Sequence, residues 1–408
     1  MLMSTVLTSE AQEQLNHIRY SRDTVHAHSP AIQKLFNLVI DYVDDAEKAG
    51  KSGTKVIWAG VPWAMPLIYS TGAIPVAFSE MGRISGQEAI TVSEDYYQMP
   101  AETCSMVKAT AGEWHLRKQA GTSITRIFGS SSGCEPYNLA WEVMKKEGFD
   151  VYTSDIVYRA PGVEGERYEE LVRYFIDEIH DFNEWLTGSR EIDKDSLHRE
   201  IVRKNHLMRR MREIMDLRLK HPFHVKSLGI MYLMNGLTHY FGKPEEYTEV
   251  LDALVEELSG LETDEADRRR AIPLIWTGGN GQEFGIYETI DNAGGSLLGF
   301  VSSPYAKDFG EDIDPVESVA RFQLESQMAG ASIYRRHVIE QQVDRIQARG
   351  LILYGYLGCS FGSVTREMYR DYFHNKGIPS INLEGTFQVG APSGQLLTRI
   401  KAFIEMLS

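Results

Sequence analysis

Residues 350–373 have the sequence GLILYGYLGCSFGSVTREMYRDYF, in which a strand pattern is followed at once by a helix pattern. The first half is a continuous apolar run that ends in glycine, and the order is typical of a strand–helix unit in a parallel sheet. Cys359 lies at the junction, between Gly358 and Ser360. Because the start of a helix has free N–H groups that favour negative charge, the junction predicts a site for an anion or an anionic cofactor.

Length and composition limit the class of protein. A chain of 408 residues is too long for one hydrophobic core, so we expect two or three domains. The net charge of -15 argues against nucleic acid as a partner. No segment approaches the ~20 apolar residues of a membrane span, and the first residues lack a secretory signal pattern. We therefore predict a cytoplasmic protein that binds neither nucleic acid nor membrane.

Strand patterns occur on both sides of a purely helical stretch. They lie at residues 55–60, 74–78, 124–130, 150–154, 272–279, 296–301, 350–358 and 378–385. Between the two groups of strands, apolar residues recur every three or four positions. We therefore predict an α/β fold with two doubly wound parallel-sheet lobes and an inserted all-helical domain. The expected units are an N-terminal lobe with a helical leader at 1–163, a helical domain at 164–270 and a C-terminal lobe at 271–408.

The other two cysteines have surroundings like those of Cys359. Cys134 follows a predicted strand and precedes a helix pattern, and Cys104 precedes a helix that Glu102 or Thr103 could cap. Helix N-termini stabilise thiolates, and ligands of open α/β sheets bind at the carboxyl ends of the strands. We therefore expect two thiols from the first lobe and one from the second to meet between the lobes.

The spacing of the cysteines leaves two interpretations open. Three widely separated cysteines do not form a disulfide framework, and they lack the close ligand pair typical of a zinc site. An iron-sulfur cubane tolerates distant ligands but usually takes four cysteines, so three would leave one iron open. The alternative is that the three thiols are ordinary buried packing residues.

Five segments resemble the 2-hydroxyacyl-CoA dehydratase family, which also contains benzoyl-CoA reductase subunits. They are AETCSMVKATAGEW at 101–114, FGSSSGCEPYNLAWEVMKKEGFDVY at 128–152, PLIWTGGNGQEFGIYETIDNAGGSLLGF at 273–300, GLILYGYLGCSFG at 350–362 and GIPSINLEGTFQVGAPSGQLLTRIKAFIEML at 377–407. The resemblance runs from about residue 55 to the C-terminus, and the segments agree in order and spacing.

The resemblance implies a [4Fe-4S] cluster held by Cys104, Cys134 and Cys359, with one iron not ligated by cysteine. It also implies a heterodimer with a homologous second subunit that carries its own [4Fe-4S] cluster, and an ATP-dependent iron-sulfur activator protein. The implied reaction is the loss of water from an (R)-2-hydroxyacyl-CoA through a ketyl radical, with 2-hydroxyisocaproyl-CoA as the expected substrate in anaerobic leucine fermentation. Two alternatives stay open: a benzoyl-CoA-type reductase subunit, and an electron-relay subunit whose cluster never contacts substrate.

One segment departs from the family pattern. Relatives often carry an acidic residue shortly after the first strand, where this chain has GVPWAMPLIYSTG at residues 60–72. Trp63, Ala64 and Met65 stand in its place, so a general acid or base at this position is in doubt. The apolar side chains predict either a substrate pocket for a branched acyl chain or a part of the core.

The glycine-rich segment TGGNGQEFG at residues 277–285 joins a predicted strand to a helix. It lacks the Lys-Ser/Thr pair of a P-loop, so we do not expect nucleotide hydrolysis. Gly278, Gly279, Asn280 and Gly281 either bind substrate through backbone N–H groups or form only a tight turn. The sequence does not identify the group that accepts the C3 proton.

Overall fold

The computed structural model describes residues 9–78, 82–130, 134–155, 157–301, 307–326, 330–387 and 390–408. In these ranges the strands are β1 Val56–Ala59, β2 Ile74–Val76, β3 Arg126–Ser130, β4 Asp150–Ser154, β5 Ile272–Gly278, β6 Gly295–Phe300, β7 Gly350–Tyr356 and β8 Ser380–Gly385. Each of them falls on a segment that the sequence predicted to be a strand.

Helices occupy most of the rest of the described chain. Before the third strand they are α1 Ser9–Tyr20, α2 Pro30–Lys51, α3 Met65–Ser70, α4 Gly82–Thr91 and α5 Ser105–Gln119. The next group is α6 Glu135–Lys146, α7 Gly165–Thr187, α8 Lys194–Leu217, α9 Ser227–His239, α10 Pro244–Ser259 and α11 Glu265–Arg270. The last group is α12 Gly285–Asn292, α13 Pro315–Leu324, α14 Ser332–Ile346, α15 Ser360–His374 and α16 Gly394–Leu407. No described helix has the length and apolarity that crossing a bilayer requires.

The strands form two parallel sheets with the same topology. The first sheet has the order β2-β1-β3-β4 and the second has the order β6-β5-β7-β8. Trp58 of β1 is opposite Ile127 of β3, and Trp276 of β5 is opposite Ile352 of β7. All seven residues of β7 are buried, which explains its continuous apolar run, since helices cover both faces of such a sheet. The predicted α/β fold with two parallel-sheet lobes is confirmed.

The order of the strands reverses at one point in each sheet. The reversal lies between β1 and β3 in the first lobe and between β5 and β7 in the second. Open α/β sheets bind ligands in the crevice outside the carboxyl ends of the strands at such a point. Because β3 and β7 hold corresponding positions, Cys134 and Cys359 follow corresponding strands.

The segment between the lobes is helical and packs closely on both of them. From residue 157 to residue 270 the structure describes helices α7 to α11 and no strand. One continuous core contains Trp58 of β1, Leu207 of α8, Leu251 of α10, Trp276 of β5 and Leu383 of β8. The boundaries at residues 163 and 270 remain a prediction, since the apolar core runs across both of them.

Candidate functional site

Each cysteine occupies the N-cap position of a helix. Cys104 precedes α5, Cys134 precedes α6 and Cys359 precedes α15. The Sγ atom of Cys359 accepts a hydrogen bond from the backbone N–H of Gly362 at 3.2 Å. The prediction that all three thiols lie at helix starts is confirmed, and free N–H groups at such ends favour thiolates.

The predicted cap of α5 was wrong. Cys104 itself is the residue before the helix, so neither Glu102 nor Thr103 occupies the N-cap. The helix begins one or two residues later than predicted, because several neighbouring residues could each serve as a cap. It places the thiol one position closer to the free N–H groups of the helix.

The two lobes are joined by hydrogen bonds beside Cys104. The N–H of Ser105 donates to the carbonyl oxygen of Leu357 at 3.0 Å, and the Ser105 hydroxyl accepts from the N–H of Phe387 at 3.0 Å. Ser105 is buried, so these bonds are shielded from water. They hold the start of α5 against the end of β7 and so bring Cys104 next to Cys359.

Gly358 allows the two backbones to approach this closely. Its φ is +76°, in the left-handed region that favours glycine. A Cβ atom at this position would lie 2.3 Å from the carbonyl oxygen of Glu102 and 2.9 Å from the N atom of Cys104. Glycine is therefore required for both conformation and space at the contact between the lobes.

The three thiols affect one another's ionisation. The hydrogen bond with Cys359, and then burial, raise the pKa of Cys104. Burial raises the pKa of Cys134, the charge of Cys359 adds to the effect, and the N–H of Tyr137 opposes it. Thiolates at this separation repel one another, so they ionise together only around a positively charged group. This donor set fits a metal cluster with several cationic centres.

Two tyrosines, the half-buried Tyr137 and the buried Tyr356, lie beside the thiols. The charges of all three thiols add to burial in raising the pKa of Tyr137, which stacks on Trp141 at 4.9 Å. Burial, together with the charges of Cys104 and Cys359, raises the pKa of Tyr356 well above its ordinary value. The two rings cover part of the place where the thiols meet, while Cys134 and Cys359 stay half-buried.

Among the residues that the structure describes, no three His, Cys, Asp or Glu side chains are grouped around a point that would hold a single metal ion. The ligands of a four-iron cubane bind different irons, so their sulfur atoms need not share one coordination sphere. A cluster held by the three thiols remains a prediction.

The loop between β5 and α12 is fixed by hydrogen bonds to side chains. Gly278 has a φ of +103°, and a Cβ atom there would lie 1.9 Å from the carbonyl oxygen of Tyr354. Four successive carbonyl oxygens accept a side-chain hydrogen bond: Gly279 from Trp276 at 2.9 Å, Asn280 from Tyr356 at 2.9 Å, Gly281 from Tyr287 at 3.1 Å and Gln282 from Gln14 at 2.6 Å. The loop is therefore a rigid platform, and its contact with substrate remains a prediction.

Glu283 ends this loop and was missed by the sequence reasoning. Burial raises the pKa of its carboxyl group to about 7, and the hydroxyl of Tyr354 lies 3.4 Å from Oε2. Gly385 makes room for both groups, because a Cβ atom there would lie 1.9 Å from the Tyr354 hydroxyl. The sequence did contain a signal for this residue, because Glu283 is the one charged residue in the glycine-rich segment at 277–285 that follows a predicted strand.

Comparison with known families identifies the chain. The sequence model of the 2-hydroxyglutaryl-CoA dehydratase D-component family matches residues 65–407. The chain belongs to the 2-hydroxyacyl-CoA dehydratase family. The matched span contains the three cysteines and Glu283, and it begins at residue 65 rather than at about residue 55. A search of curated proteins found no match.

In this dehydratase component, the segment that departs from the family pattern is part of the core. Trp63, Ala64 and Met65 are all fully buried. The Trp63 indole packs edge-on against Phe128 at 5.6 Å and Phe175 at 5.0 Å. Both interpretations from sequence involved apolar surroundings, and the described conformation has the side chains in the core of the first lobe. Their contact with an acyl chain remains a prediction.

Proposed function

We propose that the chain is the iron-sulfur subunit of an (R)-2-hydroxyacyl-CoA dehydratase, which removes water from its substrate to give the 2-enoyl-CoA. The convergence of three thiols from two lobes, inside the span that matches the family, carries this proposal. Cys134 and Cys359 lie at the carboxyl ends of corresponding strands, where α/β sheets bind ligands.

Cys104, Cys134 and Cys359 would hold a [4Fe-4S] cluster with one iron that cysteine does not ligate. When bound, the cluster supplies an open Lewis-acidic iron and one-electron redox chemistry. The protein contributes the three thiolates, the N–H groups at the helix starts and the apolar walls of Tyr137 and Tyr356.

The chemistry of the substrate explains the need for an electron. The C3 proton of a 2-hydroxyacyl thioester is not next to the carbonyl group, so no side-chain base is strong enough to remove it. One electron from an ATP-dependent iron-sulfur activator protein converts the thioester carbonyl into a ketyl radical anion, which expels the 2-hydroxyl group. The C3 proton of the resulting enoxyl radical is far more acidic. After its removal the electron returns, and the 2-enoyl-CoA leaves.

We further propose a homologous second subunit with its own [4Fe-4S] cluster as the partner in a heterodimer, and 2-hydroxyisocaproyl-CoA as the substrate. The matched family is described as one component of its enzyme, which supports a partner. The family resemblance of the sequence segments supports the branched substrate. An electron-relay role for this chain is the competing proposal.

Anaerobic isolation of the chain with its partner tests the proposal. We expect about four irons per chain. Addition of 2-hydroxyisocaproyl-CoA to the oxidised complex should change the spectrum of this chain's cluster, observed by selective labelling of its iron. A chain that contains no iron would contradict the cluster. A change confined to the partner's cluster would make this chain the relay.

A further inference from the structure

Glu283 and Cys359 lie on the two loops that border the strand reversal of the second lobe. Glu283 is in the loop after β5, and Cys359 is in the loop after β7. Tyr356 connects the two loops electrostatically and by a hydrogen bond. Its hydroxyl donates to the carbonyl oxygen of Asn280 at 2.9 Å, and burial together with the charges of Cys104 and Cys359 raises its pKa. The carboxyl group and Cys359 therefore lie on neighbouring loops at the same edge of the sheet, and Tyr356 contacts the loop that precedes Glu283.

The position of Glu283 is set by structure on three sides. The loop before it is held by the four carbonyl hydrogen bonds described above. On the side of β7, its Oε2 atom is 3.4 Å from the Tyr354 hydroxyl. On the side of β8, the missing side chain of Gly385 leaves the space that its carboxyl group occupies, since a Cβ atom would lie 2.6 Å from Oε2. A carboxyl group in a fixed position can be oriented toward a reacting atom before the substrate binds.

Among the residues that the structure describes, no basic side chain pairs with Glu283. Burial raises the pKa of its carboxyl group, and the hydrogen bond with the Tyr354 hydroxyl opposes this shift. Structural carboxylates are usually paired with a cation or with several donors when they are buried. A half-buried carboxyl group with one neutral donor resembles the acid–base groups of active sites.

We propose that the Glu283 carboxylate accepts the proton that leaves C3 of the substrate. The inference rests on the proposed dehydratase function. In this step the C3–H bond of the enoxyl radical breaks and a Glu283 O–H bond forms, while the electron pair of the C–H bond stays with the substrate. The product is the ketyl radical anion of the 2-enoyl-CoA, and the one-electron carrier of the complex takes back its electron. The proton on Glu283 then neutralises the released hydroxide, so the net products are enoyl-CoA and water.

The ionisation of Glu283 suits this task. Its pKa of about 7, raised by burial, makes it a stronger base than an exposed carboxylate while it remains ionised in part at neutral pH. The titratable groups that face it are Tyr354 on β7 and Tyr287 on α12, and burial keeps the pKa of both well above the ordinary value. Neither tyrosine changes its charge near pH 7. Burial also brings the pKa of Lys204 to about 7 and that of Asp291 to about 6, so the inflection of Glu283 is identified by its shift in Tyr354→Phe.

Glu283→Gln in the anaerobic holo complex is the first test, with Glu288→Gln as the matched control. Glu288 is an exposed residue of α12, the helix that follows the Glu283 loop. We expect Glu283→Gln to lower kcat by about 10²–10⁴-fold with unchanged iron content, and Glu288→Gln to leave kcat unchanged. Glu283→Asp should retain part of the rate and show a larger isotope effect with C3-deuterated substrate, because proton removal becomes slower.

Tyr354→Phe provides a test that does not depend on removing the carboxyl group. The Tyr354 hydroxyl lowers the pKa of Glu283, so its loss should move the rise of kcat with pH to higher pH. A difference infrared spectrum of the purified chain should show the same upward shift in the titration of one carboxyl group, without any turnover.

The outcomes separate the two proposals. If the wild-type complex dehydrates its substrate and Glu283→Gln does so within a few-fold, the role of Glu283 is overturned and the dehydratase function stands. An unmoved pH inflection in Tyr354→Phe has the same meaning. If the wild-type complex contains its clusters and activator but dehydrates no 2-hydroxyacyl-CoA, the proposed function fails and the role of Glu283 fails with it.

Discussion

The two lobes share a topology but differ in the loop that follows their first strand. In the first lobe, the loop after β1 contains Trp63 and Ala64, which are fully buried in an aromatic core. In the second lobe, the loop after β5 is polar and glycine-rich and ends in the half-buried Glu283. The loops after β3 and β7, by contrast, each carry a cysteine. A cysteine therefore follows the corresponding strand in both lobes, whereas an acidic residue follows the first strand only in the second lobe.

This difference separates the roles of the lobes. Both contribute sulfur to the place where they meet, and the first lobe adds a second thiol through Cys104. The carboxyl group that we propose as proton acceptor comes from the second lobe alone. An acidic group at the corresponding position of the first lobe would need a cavity, and that space is filled by the packed Trp63 side chain.

The largest expected effect concerns the corresponding cysteines. We expect Cys134→Ala and Cys359→Ala each to lower iron content from about four irons per chain to well below one, because each removes one of three ligands. Thr398→Ala, an exposed change on α16, is the control and should keep its iron. If one cysteine variant retains normal iron while the other loses it, the thiols of the two lobes are not equivalent.

Substitution of Trp63, in the first-lobe loop, should affect stability in the way that substitution of a core residue does. Trp63→Ala should lower the free energy of unfolding by about 3–5 kcal/mol, since a buried tryptophan leaves a large cavity. Leu139→Ala, at a half-exposed apolar residue on α6, should change it by less than about 0.5 kcal/mol. Denaturant titration measures both values. The core interpretation would be lost if Trp63→Ala altered the ratio of KM for branched and straight acyl chains with little change in stability.

Replacing Gly358 by alanine should lower the free energy of unfolding more than the same change at a left-handed glycine with open space around it. Gly358 and Gly377 both have a φ of +76°, but a Cβ atom on Gly377 meets nothing within 4 Å. Alanine costs about 1–2 kcal/mol in this conformation, and we expect Gly358→Ala to cost about 1–3 kcal/mol more than Gly377→Ala because it clashes with residue 102. If denaturant titration gives the same decrease in free energy of unfolding for both variants, the backbones at this contact can move apart without loss of stability.

The smallest expected effect is the pH dependence that Glu283 gives to stability. Burial raises its pKa from 4.5 to about 7, so between these values the folded chain keeps a proton that the unfolded chain releases. The stabilising contribution is present below pH 4.5 and is lost as the pH rises to about 7. Glu283→Gln cannot ionise and should lack this loss.

Calorimetry at pH 5 and pH 8 measures this contribution as a difference between two proteins. The Tm of Glu283→Gln relative to wild type should be higher at pH 8 than at pH 5, and Glu288→Gln should show no such change. The same difference for both variants would assign the effect to the surface charge of α12 rather than to the buried carboxyl group.

Local patterns made much of the fold predictable. The strands were recognised because a strand buried on both faces is a short apolar run, and helices on either side keep their own spacing. The cysteines at helix starts were recognised for a related reason, since a strand that ends in glycine before an amphipathic segment marks a junction. The resemblance of five segments predicted the family, and the family match confirmed that membership.

The functional contacts that were not predicted are long-range. Glu283 is 71 residues from Tyr354 in the sequence, and its pKa depends on burial among side chains of β7, β8 and α12. The sequence allowed Trp63 to be either core or pocket, because an apolar side chain satisfies both. The sequence also did not show that Gly358 and Gly385 are required for space. A glycine that avoids a clash cannot be distinguished in the sequence from a glycine in an ordinary turn.

The sequence by itself determined the strand–helix order of both lobes, the helical stretch between them and the position of every thiol at the start of a helix, because these depend on neighbouring residues. The tertiary structure alone decided that Ser105 joins the lobes, that Trp63 is buried in the first lobe and that the Glu283 carboxyl group is half-buried with no cation beside it among the described residues. Burial and electrostatics act between residues that are distant in the chain, so the chemistry of this site was fixed only when the two lobes packed together.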